Sequence, residues 1–164
     1  MNLKRSYLKY CKDKDLEVNE NQINIVHKLT EYYNLNFKQS LIEKIFKDKK
    51  NKLGFYLVGD VGVGKTMILN FFFESLKEKK SRLHFNEFMV KFHDFVFENK
   101  KKGNDNGLEK FVKDLSDKAK ILYFDEFQVT NIVDAMILGN LFKKIFDENI
   151  KVILSSNIKI NDLY

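Results

Sequence analysis

The stretch LGFYLVGDVGVGKT, Leu53–Thr66, decides how the rest of the chain is read. Leu53–Val58 form a short apolar run, Gly59–Thr66 follow as GDVGVGKT, and the next residues, KTMILNFFFESLKEKK, have a helical pattern. A strand, a glycine loop and a helix in that order is the context in which G-x-x-x-x-G-K-[ST] holds phosphate. A loop that wraps an anion must turn its backbone N–H groups inward, and glycine at 59, 62 and 64 permits positive φ and close approach. A helix starting near Gly64 aims the positive end of its dipole at the anion. Lys65 brings an ammonium to the β- and γ-phosphates, and Thr66 offers a hydroxyl to Mg²⁺. The expected nucleotide-binding segment is therefore Gly59, Asp60, Val61, Gly62, Val63, Gly64, Lys65 and Thr66. The bland alternative, a chance glycine turn before a helix, is weakened by the full match in its context.

A second stretch raises a question of placement. ILYFDEFQVT, Ile121–Thr130, runs from four apolar residues straight into Asp125 and Glu126. An unpaired buried charge is costly, so the acids are either solvated at a sheet edge or faced by something positive. A Mg²⁺ ion held by one hydroxyl and phosphate oxygens needs a carboxylate from a neighbouring strand end. Asp125 fits that role, directly or through water. Glu126 is then placed to polarise an attacking water as a general base, and the pair points to hydrolysis. KVILSSN, Lys151–Asn157, is a further apolar strand with a polar end. Asn157 is the candidate to hydrogen-bond the γ-phosphate or the water; a plain turn role is its alternative.

The remaining pattern alternates. ENQINIVHKLTEYYN has Ile23, Val26, Leu29 and Tyr33 at helical spacing, while residues 1–19 read as polar and loose. QSLIEKIFKDKKN is a short amphipathic segment whose lysines (Lys47, Lys49, Lys50, Lys52) read as a solvated linker, or else as a basic contact patch. RLHFNEF begins as a strand, EFMVKFHDFVFENKK and LEKFVKDLSDKA are helices, and KKGNDNG between them is a turn. In NIVDAMILGNLFKKIFDEN, Ile132, Ala135, Met136, Gly139, Leu141, Phe142 and Ile145 can form one inner face, with Thr130 or Asn131 as N-cap. Strands separated by helices imply a parallel sheet with helices on both faces: an α/β, three-layer P-loop NTPase core over residues 51–164, preceded by a helical segment over 1–50. In such a sheet ligands gather beyond the carboxyl ends of the strands.

Bulk properties bound the rest. The 164 residues suffice for one core, and 44% hydrophobic with 32% charged residues is a globular balance. The net charge of +6 leaves nucleic acid open as a partner. Plentiful Lys, Asn, Ile and Phe with no Pro is also what AT-rich coding produces, so the charge is weak support. Cys11 is alone, which fits a reducing compartment. No apolar run reaches about 18–20 residues, and the basic N-terminus lacks the apolar region of a secretory signal. His27, His84 and His93 have no zinc-like spacing; His84 alone could line a cleft. Phe71, Phe72 and Phe73 read as core rather than a stacking platform.

GFYLVGDVGVGKTMILNFFFESL, RLHFNEFMVKFHDFV, LYFDEFQVTNIVDAMILGNLFKKIF and ILSSNIKINDLY resemble the successive blocks of the ZapE-like AAA+ ATPases, and the leading YLKY…ENQINIVHKL resembles that family's N-terminal segment. The resemblance implies an AAA+ core with Gly59–Thr66 as Walker A loop, Asp125 and Glu126 as Walker B metal and hydrolysis acids, and Asn157 as first sensor. It implies ATP and Mg²⁺, a homo-oligomer or partner chain supplying an arginine finger, and a role in cell division with division-ring proteins at the membrane. The implied location is cytoplasmic, with the mitochondrial matrix or inner membrane as the alternative, since mitochondrial relatives are linked to protein quality control. Asn86, Asn131 and the proline-free IKIND depart from the family pattern. By the same resemblance the chain stops after the first sensor, before the lid and the arginine finger. Competing functions are a nucleotide-dependent binding module that does not hydrolyse, and a nucleic-acid-loader-type ATPase.

Overall fold

The computed structural model describes residues 3–38, 52–129 and 131–163. In chain order the elements are α1 Leu3–Asp13, α2 Glu20–Phe37, β1 Gly54–Val58, α3 Lys65–Ser75, β2 Lys80–His84, α4 Phe85–Lys101, α5 Gly107–Lys118, β3 Ile121–Asp125, α6 Ile132–Asp147 and β4 Lys151–Ser156, then a 3₁₀ turn over Ile160–Asp162. The strands form one parallel sheet in the order β1-β4-β3-β2.

β3 is buried along its whole length, and its side chains alternate between faces. Ile121 and Tyr123 join a core with α1, α2 and α3; Leu122 and Phe124 join another with α4, α5 and α6. The sheet therefore carries helices on both faces, the three-layer α/β arrangement that the alternating pattern implies. Phe124 sits in an aromatic cluster with Phe85, Phe88 and Phe142, while Phe71 and Phe72 are buried on the opposite face. α2 starts in a capping box, Asn19 accepting from the Gln22 N–H at 2.9 Å. The Tyr32 hydroxyl donates to the Leu53 carbonyl at 3.1 Å, fastening α2 to the start of β1.

Two expectations are corrected. Residues 3–13 are helical, not loose. Leu3, Tyr7 and Cys11 are each 0% exposed, and the Tyr7 ring meets Phe71 of α3 edge-on at 5.1 Å. A helix this short is marginal by itself, so packing on α3 makes it, and one apolar residue per turn among lysines does not advertise it. In α6, Leu138, Leu141 and Ile145 face the core, whereas Ile132, Met136 and Gly139 are exposed. That helix is apolar on more than one side, so its 3.6-residue period fits several stripes. The amphipathic segment over 39–51, with Lys47, Lys49 and Lys50, lies outside the described residues, as does Thr130; Asn131 is the N-cap, accepting from the Val133 N–H at 2.8 Å.

Leu141→Ala should destabilise by about 2–5 kcal/mol, and Met136→Ala should stay within about 0.5 kcal/mol of the parent, both read from urea melts. Tyr33 gives a pH signature. Burial, then the hydrogen bond and charge of Glu78, push its phenol up to about 12; the hydroxyl donates to Glu78 Oε1 at 2.8 Å. A value raised by folding means stability that is whole below the unfolded value, 10.0, and is lost as pH climbs to about 12. Alkaline unfolding followed by circular dichroism should show a smaller stability loss across that window in Tyr33→Phe than in the parent.

Candidate nucleotide-binding site

Between β1 and α3 the chain turns through Gly59–Gly64. Gly62 and Gly64 have φ of 85° and 86°, the left-handed region that glycine enters freely. Gly59 is not in that region, which corrects the expectation of positive φ at all three positions. Its glycine is a matter of room: a Cβ there would stand 3.3 Å from Val63 Cγ2 and 3.6 Å from Lys65 Cδ. Gly64 is the N-cap of α3 and brings no side-chain cap, so the first N–H groups of the helix remain available to an anion. The Lys65 ammonium donates to the carbonyls of Gly59 and Asp60 at 2.6 and 2.7 Å and to Asn157 Oδ1 at 2.8 Å.

The ends of the inner strands are tied to that loop. The Gly59 N–H donates to the Ser156 carbonyl at 3.3 Å, and the Phe127 N–H to the Ser155 carbonyl at 2.7 Å. The Ser156 hydroxyl returns to the Phe127 carbonyl at 2.6 Å. Asp125 is buried, its Oδ1 accepting from the Ser155 hydroxyl at 2.6 Å and its Oδ2 paired with the Arg82 guanidinium. Burial by itself would raise the Asp125 carboxyl; the Ser155 hydrogen bond and Arg82 outweigh it and hold the group below its usual value. Arg82 also lies 5.2 Å from the centroid of the Tyr123 ring, a cation–π contact. Glu126 follows with φ 54°, unusual for a residue with a Cβ, and its N–H donates to Asp125 Oδ1 at 3.2 Å.

These elements enclose a cavity of about 320 Å³ lined by Val61, Gly62, Gly64, Lys65, Thr66, Met67, Asp125, Glu126, Ser155, Ser156 and Asn157. Lys65, Thr66, Asp125, Glu126 and Asn157, gathered from three places in the sequence, thus share one space. Gly59, Asp60 and Val63 belong to the loop without lining the cavity. The Thr66 hydroxyl and Asp125 carboxylate are hard oxygen donors, the class that Mg²⁺ takes. Among the described residues no group of three or more His, Cys, Asp or Glu could hold a metal. The pair therefore fits an ion completed by phosphate oxygens and water, as Mg²⁺ commonly is.

Nothing in the local sequence points to Arg82 as the partner of Asp125. It is 43 residues from Asp125 in sequence, and only the pairing of β2 with β3, which puts Arg82 opposite Tyr123, brings them together. His93, on α4, has its Nε2 2.7 Å from Asp134 Oδ1 and so links α4 to α6. His84 is exposed at the N-cap of α4 and does not line the cavity. His27 is exposed on α2, 3.9 Å from Glu31.

The model of the AFG1-like ATPase family matches residues 1–164. Cell division protein ZapE of Escherichia coli K12 is 39% identical over 112 residues, covering 68% of this chain and 29% of that protein. Lactation elevated protein 1 homolog B of Danio rerio is 33% identical over 121 residues, covering 68% of this chain and 24% of that protein. The chain spans less than a third of the length of these relatives. Among solved structures, AMPPCP-bound DnaA from Aquifex aeolicus gives a TM-score of 0.52 at 16% identity, over 92% of this chain and 42% of that one. DnaI gives 0.55 at 18% identity, over 92% of this chain and 73% of that one. Both are P-loop AAA+ proteins, and at these identities the likeness is one of fold. A phosphate-type loop facing an acidic strand end across a parallel sheet, in a sequence that fits the family model from end to end, makes this chain a member of the AFG1-like ATPase family.

Proposed function

We propose that this chain binds ATP with Mg²⁺ in the cavity between the Gly59–Thr66 loop and the ends of β3 and β4, and hydrolyses the terminal phosphoanhydride as part of an AAA+ assembly. The observation that supports it most is the meeting of Lys65, Thr66, Asp125, Glu126 and Asn157 on one cavity. The open N–H groups at the start of α3 receive phosphate oxygens. Lys65 exchanges its carbonyl acceptors and Asn157 for those oxygens. The Thr66 hydroxyl and the ionised Asp125, the latter held from behind by Ser155 and Arg82, hold Mg²⁺. When bound, Mg²⁺ neutralises charge that builds on the phosphate oxygens. Glu126, exposed beside the cavity, takes the proton of the attacking water, and Asn157, released by Lys65, orients that water.

Charge stabilisation in trans completes the reading. The sequence holds two arginines, Arg5 and Arg82. Arg82 is committed to Asp125, and among the described residues no arginine lines the cavity. A second subunit or a partner chain, through a part of the protein outside these residues, supplies a guanidinium, an effect worth about 10³–10⁵ in rate in related phosphoryl-transfer systems. Similarity to a protein named for cell division supports a role in that process; a cytoplasmic location and division-ring proteins as partners are part of the proposal alone.

Lys65→Ala should weaken ATP binding by about tenfold or more, the worth of a charge-assisted contact, measured by calorimetry. The isolated chain should bind ATP yet turn over slowly, and Glu126→Gln should keep binding while lowering turnover further. Robust turnover by the isolated chain, abolished by Glu126→Gln, would remove the need for a second chain. Arg82→Ala leaves a buried carboxylate without its cation, with Ser155 and Tyr123 as neighbouring hydroxyls, and should cost about 1–3 kcal/mol. In an Asp125→Asn background the same change should cost less, a coupling that urea melts of the four proteins measure.

A further inference from the structure

Gln22 belongs to α2, far in sequence from the loop and the strand ends, yet it reaches the loop. It is 8% exposed. The Asn19 N–H, which can only donate, donates to Gln22 Oε1 at 3.4 Å, and the Tyr7 hydroxyl donates to the same oxygen at 3.2 Å. Those donors fix which end of the amide is oxygen and which is nitrogen. The nitrogen lies against the nucleotide loop: a Cβ on Gly64 would stand 3.2 Å from Gln22 Nε2 and 3.7 Å from Met67 Cε. Among the described residues Nε2 has no hydrogen-bond acceptor. The donor is thus left open to a ligand or to water, and the two residues beside it, Gly64 and Met67, both line the nucleotide cavity.

We propose that Gln22 reads the base of the bound nucleotide and reads it as adenine, an inference that rests on the ATP reading of the cavity. The phosphates belong to the loop and the start of α3, so the base must leave that loop along one of its walls. Met67 lines the cavity and Gln22 stands beside it at the rim, next to Gly64, and together they offer the right chemistry. The thioether offers a polarisable surface to an aromatic ring. The amide offers a donor and an acceptor side by side, and adenine presents the matching pair, N7 as acceptor and the N6 amino group as donor. Oε1 takes the N6 proton in place of the Asn19 N–H, whose 3.4 Å bond is the longer of its two, while the Tyr7 bond stays. Guanine has O6 where adenine has N6 and would turn an acceptor toward Oε1. The amide is also held still. Tyr7 is 0% exposed and packs edge-on against Phe71 of α3, so the hydroxyl that orients Gln22 is fixed to the helix that the loop feeds. Burial pushes the Tyr7 phenol upward, which keeps it a protonated donor.

The test is calorimetric binding of the 164-residue chain, with Mg²⁺, to ATP, 7-deaza-ATP, ITP and inorganic tripolyphosphate. 7-deaza-ATP lacks the N7 acceptor, and ITP carries oxygen in place of the N6 amino group. The parent should bind ATP about tenfold more tightly than either analogue. Gln22→Glu keeps the length and an oxygen for Asn19 and Tyr7, and removes the Nε2 donor. Its ATP to 7-deaza-ATP ratio should fall to near one, whatever its charge does to all triphosphates alike. Gln22→Met is the second variant and should lose the same preference, with circular dichroism melts reporting which variants fold. Equal parental affinity for ATP, 7-deaza-ATP and ITP overturns the proposal without any variant. So does a parental ratio retained in whichever variant folds. Tripolyphosphate binding without base preference sinks the base contact alone, whereas no binding of ATP or tripolyphosphate sinks the ATP reading with it.

Discussion

The Asp125 carboxylate is 6% exposed, and a charge that far from water is tolerable only if both its oxygens are held. Ser155 holds one and Arg82 the other. Because these partners come from the end of β4 and the middle of β2, a single charge ties three adjacent strands together. From Ser155 the connection runs on through backbone: Phe127 donates to the Ser155 carbonyl, and Gly59 to the carbonyl of Ser156. The phosphate-type loop is thereby fixed relative to the acidic strand end, although the two are more than fifty residues apart in sequence. Remove the pairing at Asp125, and the geometry that brings Lys65, Glu126 and Asn157 to one cavity loses its anchor.

The same anchor carries a local strain. Glu126 has φ 54°, a conformation that costs a residue with a Cβ about 1–2 kcal/mol. It persists because its neighbours leave it no better choice: its own N–H is taken by Asp125 Oδ1 and the next N–H by Ser155. The consequence is that a carboxylate leaves the buried strand abruptly and stands exposed at the cavity one residue after a buried one. Strain held at a cavity by surrounding hydrogen bonds is the usual trade of stability for position.

Local pattern carried the sheet, the loop and the acidic pair into view, because each is written in consecutive residues: an apolar run, three glycines, two adjacent carboxylates. What it could not show are features made by packing. α1 presents one buried residue per turn among lysines, and without Phe71 and α3 to pack on, nothing marks Leu3, Tyr7 and Cys11 as a stripe. α6 is apolar on several sides, so periodicity alone could not choose Leu138 over Met136 for the core. The partner of Asp125 was the harder case. The sequence posed the question of a positive counterpart and pointed to a metal ion; the structure adds Arg82, whose proximity depends wholly on β2 pairing with β3. Gln22 is similar: its place beside Gly64 follows from how α1 and α2 dock on α3.

Lys65 shows how binding and response could be one event on this scaffold. Its ammonium has three protons and already satisfies three acceptors, two loop carbonyls and Asn157. A phosphate therefore gains Lys65 only by displacing bonds already made, so the net worth of the contact is the difference between two sets of hydrogen bonds rather than the whole of one. The displaced partner matters as much as the gained one. Asn157 follows directly on β4, whose last residues hold Asp125 and the turn beyond it. Occupying the loop in the proposed way would free a polar group at the strand that positions both acids. A lysine resting on solvent alone would bind phosphate with less competition, but would leave the strand end uninformed of it.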